Sequence, residues 1–91
     1  MAWSAAWWSV DMEKQVKVER IFIEFGMASG GGYIVEVGGR EGWRKVYEGS
    51  GQEASKVIEV AGVVGKEVRV RWVTPVGVRL AEVKVVGRIL P

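Results

Sequence analysis

The sequence predicts an all-β protein, an antiparallel β-sandwich of about seven strands that occupies residues 1–91 as one domain. Short segments rich in valine, isoleucine and aromatic residues alternate apolar with polar positions, which is the two-residue period of a strand with one buried face. Turn signals built on glycine or proline separate these segments every eight to twelve residues or so. No segment shows a helical period, so both layers of the sandwich should consist of strands.

The central hairpin is the clearest local prediction. Tyr33–Val37 and Trp43–Tyr47 read as its two strands, joined by Gly38–Gly42. The glycines of this turn, Gly38, Gly39 and Gly42, should supply positive φ angles, and Arg40 and Glu41 should lie at the exposed tip. We expect the indole of Trp43 to be buried in the core.

The segments before the hairpin predict two strands and a loop. Trp8–Met12 alternates as a short strand, and Glu13–Gln15 should form a turn. Val16–Phe25 follows as a long strand whose apolar parity slips, which predicts a bulge at Glu19–Arg20. Gly26–Gly32 is predicted to be a loop.

Three further strands are expected after the hairpin. They are Ser55–Val60, Lys66–Val73 and Val78–Val86, with turns at Ala61–Gly65 and Thr74–Gly77 and a tail from Gly87 to Pro91. In the second of these strands Val68, Val70 and Trp72 share one face, so Arg69 and Arg71 should point outward.

Composition excludes several classes of function. The chain has no cysteine and no histidine, which removes disulfides, thiol catalysis, the commonest general base and the commonest transition-metal ligand. We therefore expect a protein that is not an enzyme and that has no metal site and no cofactor. A net charge of +2 gives no electrostatic footprint for nucleic acid.

Location and source are predicted only broadly. No apolar run approaches the roughly 18 residues of a membrane span, so no membrane partner is expected. Met1–Val10 lacks the basic start of a signal peptide, which makes a cytoplasmic location the default. Many charged residues and the absence of Cys and Asn favour a thermostable protein from a hot-living source.

Several blocks of residues, in order, carry a family resemblance. The first blocks are Trp3-Ser4-Ala5, Trp8-x-Val10-Asp11-Met12 and Val18-x-x-Ile21-x-Ile23; the later ones are Tyr33-x-Val35-x-Val37, Gly42-Trp43-x-x-Val46, Lys66-Glu67-Val68-Arg69-Val70 and Leu80-x-Glu82-Val83-x-Val85-x-Gly87. This order resembles the discoidin family, the coagulation factor V/VIII type C domains, within the galactose-binding-like jelly rolls. The resemblance covers almost the whole chain and implies a minimal jelly roll.

The chain also departs from that family. Family domains are usually about half as long again, and the opening strand and first loops, which bind a structural calcium in many relatives, have no counterpart here. Glu82 matches the late glutamate that often completes the calcium site. Without the loop we expect no calcium, and Glu82 should instead make a local hydrogen bond or ion pair.

The resemblance implies non-catalytic binding, with a carbohydrate or glycan as the leading ligand class. Alternate loops of a sandwich gather at opposite ends, and relatives bind ligands at the end that corresponds here to Trp3–Trp7, Gly26–Gly32, Gly49–Ala54 and Thr74–Gly77. A sugar site needs a stacking ring and convergent polar groups. The candidate ligand-binding residues at that end are Trp3, Trp7, Ser29, Gln52, Glu53 and Thr74. Trp3 and Trp7 are also interpretable as plugs that close the core.

Two alternatives stay open. One is a structural or assembly module that joins copies of the chain or partner proteins; the other is a shortened or engineered domain without a ligand. A missing family strand should leave a sheet edge uncovered. We therefore expect a homo-oligomer, formed through that edge or through the Trp-rich N-terminus.

Overall fold

A computed structural model describes residues 6–27, 32–40, 42–50, 55–72 and 79–91. They form five strands: β1 Ala6–Met27, β2 Gly32–Gly39, β3 Gly42–Ser50, β4 Ser55–Trp72 and β5 Arg79–Ile89. All pairings are antiparallel, and the sheet has the order β3-β2-β4-β1-β5. These residues include no helix, which confirms the predicted all-β class.

The two long strands each contribute to both halves of the sheet. The first half contains β3, β2, the C-terminal part of β4 and the N-terminal part of β1, where Ala6–Asp11 lie opposite Trp72–Glu67. The second half contains the N-terminal part of β4, the C-terminal part of β1 and β5. This arrangement is consistent with a β-sandwich jelly roll, because each long strand passes from one half to the other.

The passage between halves occurs at two bends that the sequence predicts as turns. In β1 the register shifts between Asp11 and Val16, and Glu13 adopts a φ of 67°. The Glu13 backbone N–H donates a 2.7 Å hydrogen bond to Asp11 Oδ1, which holds this bend. In β4, Ala61 and Gly62 have φ angles of 61° and 81°. The predicted turns at residues 13–15 and 61–65 therefore lie inside continuous strands, and the count of about seven strands is not confirmed.

The buried side chains come from both halves and form one core. They are Val16, Val18, Ile21, Ile23, Phe25, Tyr33, Val35, Val37, Ile58, Val60, Val68, Val70 and Trp72. The Phe25 ring of the second half meets the Tyr33 ring of the first half edge-on, with centroids 5.1 Å apart. Val68, Val70 and Trp72 are all buried, as their alternation predicts.

The structure of β1 and β5 tests two predictions from the sequence, the bulge at Glu19–Arg20 and the tail from Gly87. The register of β1 shifts between Val18 and Arg20 against both neighbours, which confirms the predicted bulge. The strand β5 runs to Ile89, so the prediction of a tail from residue 87 is wrong. Gly87 lies opposite Val18 and close to the backbone of β1, where an added Cβ would collide with the Lys17 carbonyl oxygen. Because glycine has no Cβ, β5 can continue to pair with β1 beyond this point.

The hairpin of β2 and β3 forms as predicted, but two of its details differ. Only Gly42 of its three turn glycines has a positive φ, 99°, and Gly38 continues β2. Trp43 is 41% exposed, so its predicted burial is wrong. The physical reason is a bulge. Lys45 pairs with Glu36 and Tyr47 with Val35, which leaves Val46 as an extra residue and puts Trp43 and Tyr47 on opposite faces.

Candidate functional site

The first half of the sheet has two ends, which we name by what borders them. The loop end is where Tyr33 of β2, Gly49 of β3 and Trp72 of β4 lie, and the bend end is where Asp11, Gly38 and Glu67 lie. At the bend end, Gln15, Gly39 and Val64 line one groove. This confirms that the segments 13–15, 38–42 and 61–65 gather at the same end, as predicted.

The residues predicted to bind a ligand lie outside the described part of the chain. This applies to Trp3, Ser29, Gln52, Glu53 and Thr74. The backbone of Trp7 belongs to β1 and pairs with Arg71, but its side chain is not among those described. The predicted site therefore remains a prediction, and the described strands show what borders it.

An aromatic cluster borders the loop end. The Tyr33 ring lies between Phe25 and Tyr47, with ring centroids 5.1 Å and 5.9 Å away. Trp72 pairs with Tyr33 across the strands and is 4% exposed. These side chains form a rigid base for any loop that follows β3 or β4, because large aromatic rings bury much apolar area with few rotatable bonds.

The Tyr47 ring also ties the two halves of the sheet together at this end. The ammonium group of Lys56, which belongs to the second half, lies 5.2 Å from the ring centroid. Gly49 leaves room for the ring, since an added Cβ would lie 2.6 Å from the Tyr47 Cε2 atom. The indole Nε1 of Trp72 is buried and finds no hydrogen-bond partner among the described residues. Polar atoms thus accompany the aromatic rings at the loop end.

Two grooves flank the hairpin tip at the bend end, with volumes of about 440 and 430 Å³. The first is lined by Gln15, Gly38, Gly39, Arg40, Gly42, Trp43, Lys66 and Glu67. The second replaces Gly38, Lys66 and Glu67 with Val37, Arg44, Val63 and Val64. Trp43 and Arg40 border both grooves, and Arg40 is exposed at the tip as the sequence predicts.

A charged network on the outer face of the sheet supports Trp43. The Arg69 guanidinium carbon lies 4.0 Å from the centroid of the Trp43 ring. Arg69 Nε donates to Glu36 Oε1 at 3.0 Å, and Arg71 Nε donates to the same oxygen at 3.3 Å. Both arginines lie on the outer face, as predicted, and the carboxylate of Glu36 holds them there.

The carboxyl group of Glu36 is unusual because its residue is only 8% exposed. Burial by itself raises the pKa of Glu36, but the hydrogen bonds and charges of Arg69 and Arg71 outweigh this effect and hold the pKa below its usual value. The group is therefore ionised at neutral pH and fixes both guanidinium groups.

The remaining charged groups show ordinary surface chemistry. Lys84 Nζ lies 3.8 Å from Glu82 Oε2, which confirms the predicted local ion pair of Glu82. Among the described residues, no group of three or more acidic side chains is placed to hold a metal ion. No helix suited to crossing a membrane occurs in the same ranges.

Comparison with solved structures places this fold among carbohydrate-binding modules. CpGH89CBM32-6 from Clostridium perfringens superposes with a TM-score of 0.79 at 19% identity, over 92% of this chain and 70% of that chain. Chitosan-binding module 1 from a chitosanase/glucanase of Paenibacillus sp. IK-5 superposes with a TM-score of 0.78 at 26% identity, over 91% of this chain and 69% of that module.

A family 89 glycoside hydrolase of Clostridium perfringens also matches, with a TM-score of 0.78 at 16% identity. The match covers 91% of this chain but only 10% of the hydrolase. No family model matches the chain, and no curated protein matches it. The fold is thus that of carbohydrate-binding module 32 domains, a discoidin-like fold, which supports the resemblance seen in the sequence.

The bend-end grooves and the charged network of Glu36, Arg69 and Arg71 that supports Trp43 were not predicted from the sequence. One signal was present in the sequence: Gly38 stands where the alternation of β2 calls for an outward side chain. A glycine at such a position leaves space for the ring of a cross-strand neighbour. Trp43 is that neighbour, since an added Cβ on Gly38 would lie 2.7 Å from its Cζ3 atom.

Proposed function

We propose that this chain is a non-catalytic carbohydrate-binding module that holds its ligand at the loop end. The observation that carries the proposal is its fold, which superposes over nine-tenths of its length on a carbohydrate-binding module and on a chitosan-binding module. The match to a hydrolase is confined to 10% of the larger chain, which suits an attached module without catalytic groups of its own.

The loop end suits sugar binding for a physical reason. A sugar ring needs an aromatic surface to stack on and several polar groups that hold still around it. Tyr33, Tyr47 and Trp72 provide a packed aromatic base where the strands reach the loop end. On that base, Trp3 or Trp7 would supply the stacking ring, and Ser29, Gln52, Glu53 and Thr74 the hydrogen bonds.

Titration calorimetry with a panel of oligosaccharides tests the proposal. The panel holds galactose-type sugars, which suit the family resemblance, and chitosan oligosaccharides, which suit the Paenibacillus module. We expect one class to bind, and we expect Trp7→Ala or Gln52→Ala to weaken that binding about tenfold, about the loss of one stacking ring or polar anchor.

Lys84→Gln is the control variant, because Lys84 lies on β5 in the other half of the sheet. It should leave the affinity unchanged, and circular dichroism should show every variant folded. Absence of binding to the whole panel, or unchanged affinity of both the Trp3→Ala and the Trp7→Ala variants, would contradict the proposed site.

We also propose self-association through a sheet edge or the Trp-rich N-terminus. The described sheet ends in β3 on one side and β5 on the other, and β5 carries the exposed apolar side chains Val86 and Ile89. Sedimentation velocity at micromolar concentration should give a species heavier than the 10.0 kDa chain. A monomer alone would rule out self-association at that concentration.

A further inference from the structure

The bend end carries a second candidate site, distinct from the loop end used by the proposed function. Its central feature is Trp43, a large aromatic residue that a soluble protein ordinarily buries yet that stands 41% exposed here. The ring borders both grooves, of about 440 and 430 Å³. Cavities that hold small ligands measure about 300–1,000 Å³, so each groove is large enough for a sugar unit.

The indole ring is held in place before any ligand arrives. It packs against Gly38, which has no side chain to displace it, and the Arg69 guanidinium carbon lies over the ring, 4.0 Å from its centroid. Glu36 fixes Arg69 through oxygen–nitrogen distances of 2.9 and 3.0 Å and is itself fixed by Arg71. A platform that is already ordered loses little conformational entropy on binding.

The groups around the platform are polar and mainly cationic. Arg40 and Lys66 border the first groove together with the Gln15 amide and one carboxylate, that of Glu67. Arg44 joins Arg40 in the second groove. Arg40, Arg44 and Lys66 are exposed, and none of the ion pairs found among the described residues involves them. The side chains that line the two grooves thus include three cations and one carboxylate, which favours an anion there, while the carboxylates of Asp11 and Glu13 lie on the adjacent bend of β1.

We propose that the bend-end grooves bind an acidic saccharide, with one sugar ring stacked on the face of Trp43 that Arg69 does not cover and its carboxylate paired with Arg40 and Lys66. An aromatic face alone would suit any apolar ligand, and cations alone would suit any anion. The two together match a ring that carries both C–H faces and a negative charge, as a uronic acid does. The Gln15 amide adds a donor and an acceptor for ring hydroxyls.

Tetragalacturonate is the probe, and its uncharged counterpart galactotetraose is the matched ligand control. In a ¹H–¹⁵N NMR titration of the whole chain, tetragalacturonate should shift the amides of Gln15, Gly39 and Gly42 and the indole N–H of Trp43. The dissociation constant of galactotetraose, read from the same signals, should be at least about tenfold higher, since one charge-assisted hydrogen bond accounts for about that factor in affinity. A tetraglutamate peptide supplies the same charge without a sugar ring and should also bind weakly.

Two variants separate the platform from the charges. Trp43→Ala should weaken tetragalacturonate binding about tenfold, as should Arg40→Gln combined with Lys66→Gln. The control is Arg20→Gln combined with Lys84→Gln, which removes the same charge from the other half of the sheet and should retain full affinity. Because Arg40 and Lys66 are exposed, their replacement should leave the fold intact even if Trp43→Ala does not.

Three outcomes would overturn the proposal. One is the absence of shifts at Gln15, Gly39 and Trp43 with tetragalacturonate. Another is equal binding of galactotetraose or tetraglutamate, and the third is equal affinity of the Arg40/Lys66 and Arg20/Lys84 double variants. The loop-end proposal stands apart from these results, because its signals come from the opposite end of the sheet and its probes are neutral or amino sugars.

Discussion

At the scale of single residues, Glu36 shows how one carboxylate sets the surface of the sheet. It is nearly buried and accepts hydrogen bonds from Arg69 and Arg71 through the same oxygen, Oε1. Removing the charge leaves two guanidinium groups without their partner in a partly dry setting. Because Arg69 also packs over the ring of Trp43, we expect the same change to loosen that ring.

Glu36→Gln should lower the free energy of unfolding by about 2 kcal/mol at pH 7, since it breaks a partly buried charged network. Urea denaturation measures this loss. Glu59→Gln is the matched control, because Glu59 also pairs with an arginine, Arg20, but on an exposed surface. That exposed pair should contribute less than about 1 kcal/mol. Equal losses in the two variants would contradict the role given to Glu36.

The pH dependence of the Glu36 contribution follows from its lowered pKa. Because the folded pKa lies below the unfolded value of about 4.3, the stabilisation is fully present above that value. It is lost as the pH falls through the folded pKa. The difference in stability between wild type and Glu36→Gln should therefore be constant near neutrality and shrink below about pH 4. A difference that grows in acid would have the wrong sign.

Trp43 and Gly38 should be coupled, because the ring of one occupies the space above the other. Trp43→Ala should cost about 1–2 kcal/mol, less than the 3–5 kcal/mol or so expected for a buried indole. Gly38→Ala should cost about 1 kcal/mol in wild type and almost nothing in the Trp43→Ala background, since the clash is then gone. Additive costs in this double-mutant cycle would mean that the ring lies elsewhere.

At the scale of elements, the two bends decide the architecture. Gly65 stands just beyond the bend of β4, where an added Cβ would collide with Val37 Cγ1 and lie 2.7 Å from the Gly38 carbonyl oxygen. Backbone at that distance cannot move without disturbing β2. Gly65→Ala should therefore cost about 2–4 kcal/mol, measured by chemical denaturation.

Gly42→Ala is an informative control for Gly65→Ala. No atom lies within 4 Å of an added Cβ there, but the φ of 99° is strained for any other residue. We expect a loss of about 1–2 kcal/mol from backbone strain alone. If Gly65→Ala cost no more than this, the close contact of Gly65 in β4 with Val37 and Gly38 in β2 would be contradicted.

The elements that could be predicted from the sequence are those whose alternation is unbroken. The alternation of Val68, Val70 and Trp72 correctly predicted the buried face of β4. In β1, the break in apolar alternation after Val18 correctly predicted the bulge. The segments around Glu13 and Ala61, both at positive φ, were correctly located as places where the chain turns, but the sequence does not show that β1 and β4 continue through them. Burial of Trp43 was mispredicted because a bulge at Val46, invisible in the apolar pattern, reverses the faces of β3.

At the scale of the whole molecule, one end of the sheet carries the proposed sugar site and the other carries the Trp43 grooves. The fold class and the carbohydrate-binding comparison agree with the sequence reading. The exact site could not be derived in the same way, because a ligand site depends on how separate loops converge and not on the alternation within any one strand. The grooves emerged only from the register that places Trp43 opposite Gly38.

The central claim is that the loop end binds a carbohydrate, and an NMR titration with chitosan and galactose oligosaccharides tests it most directly. Binding should shift the backbone amides of Tyr33, Gly49 and Trp72, which border that end, and leave those of Gly39 and Lys66 unmoved. The account is contradicted if no sugar shifts the loop-end amides at millimolar concentration.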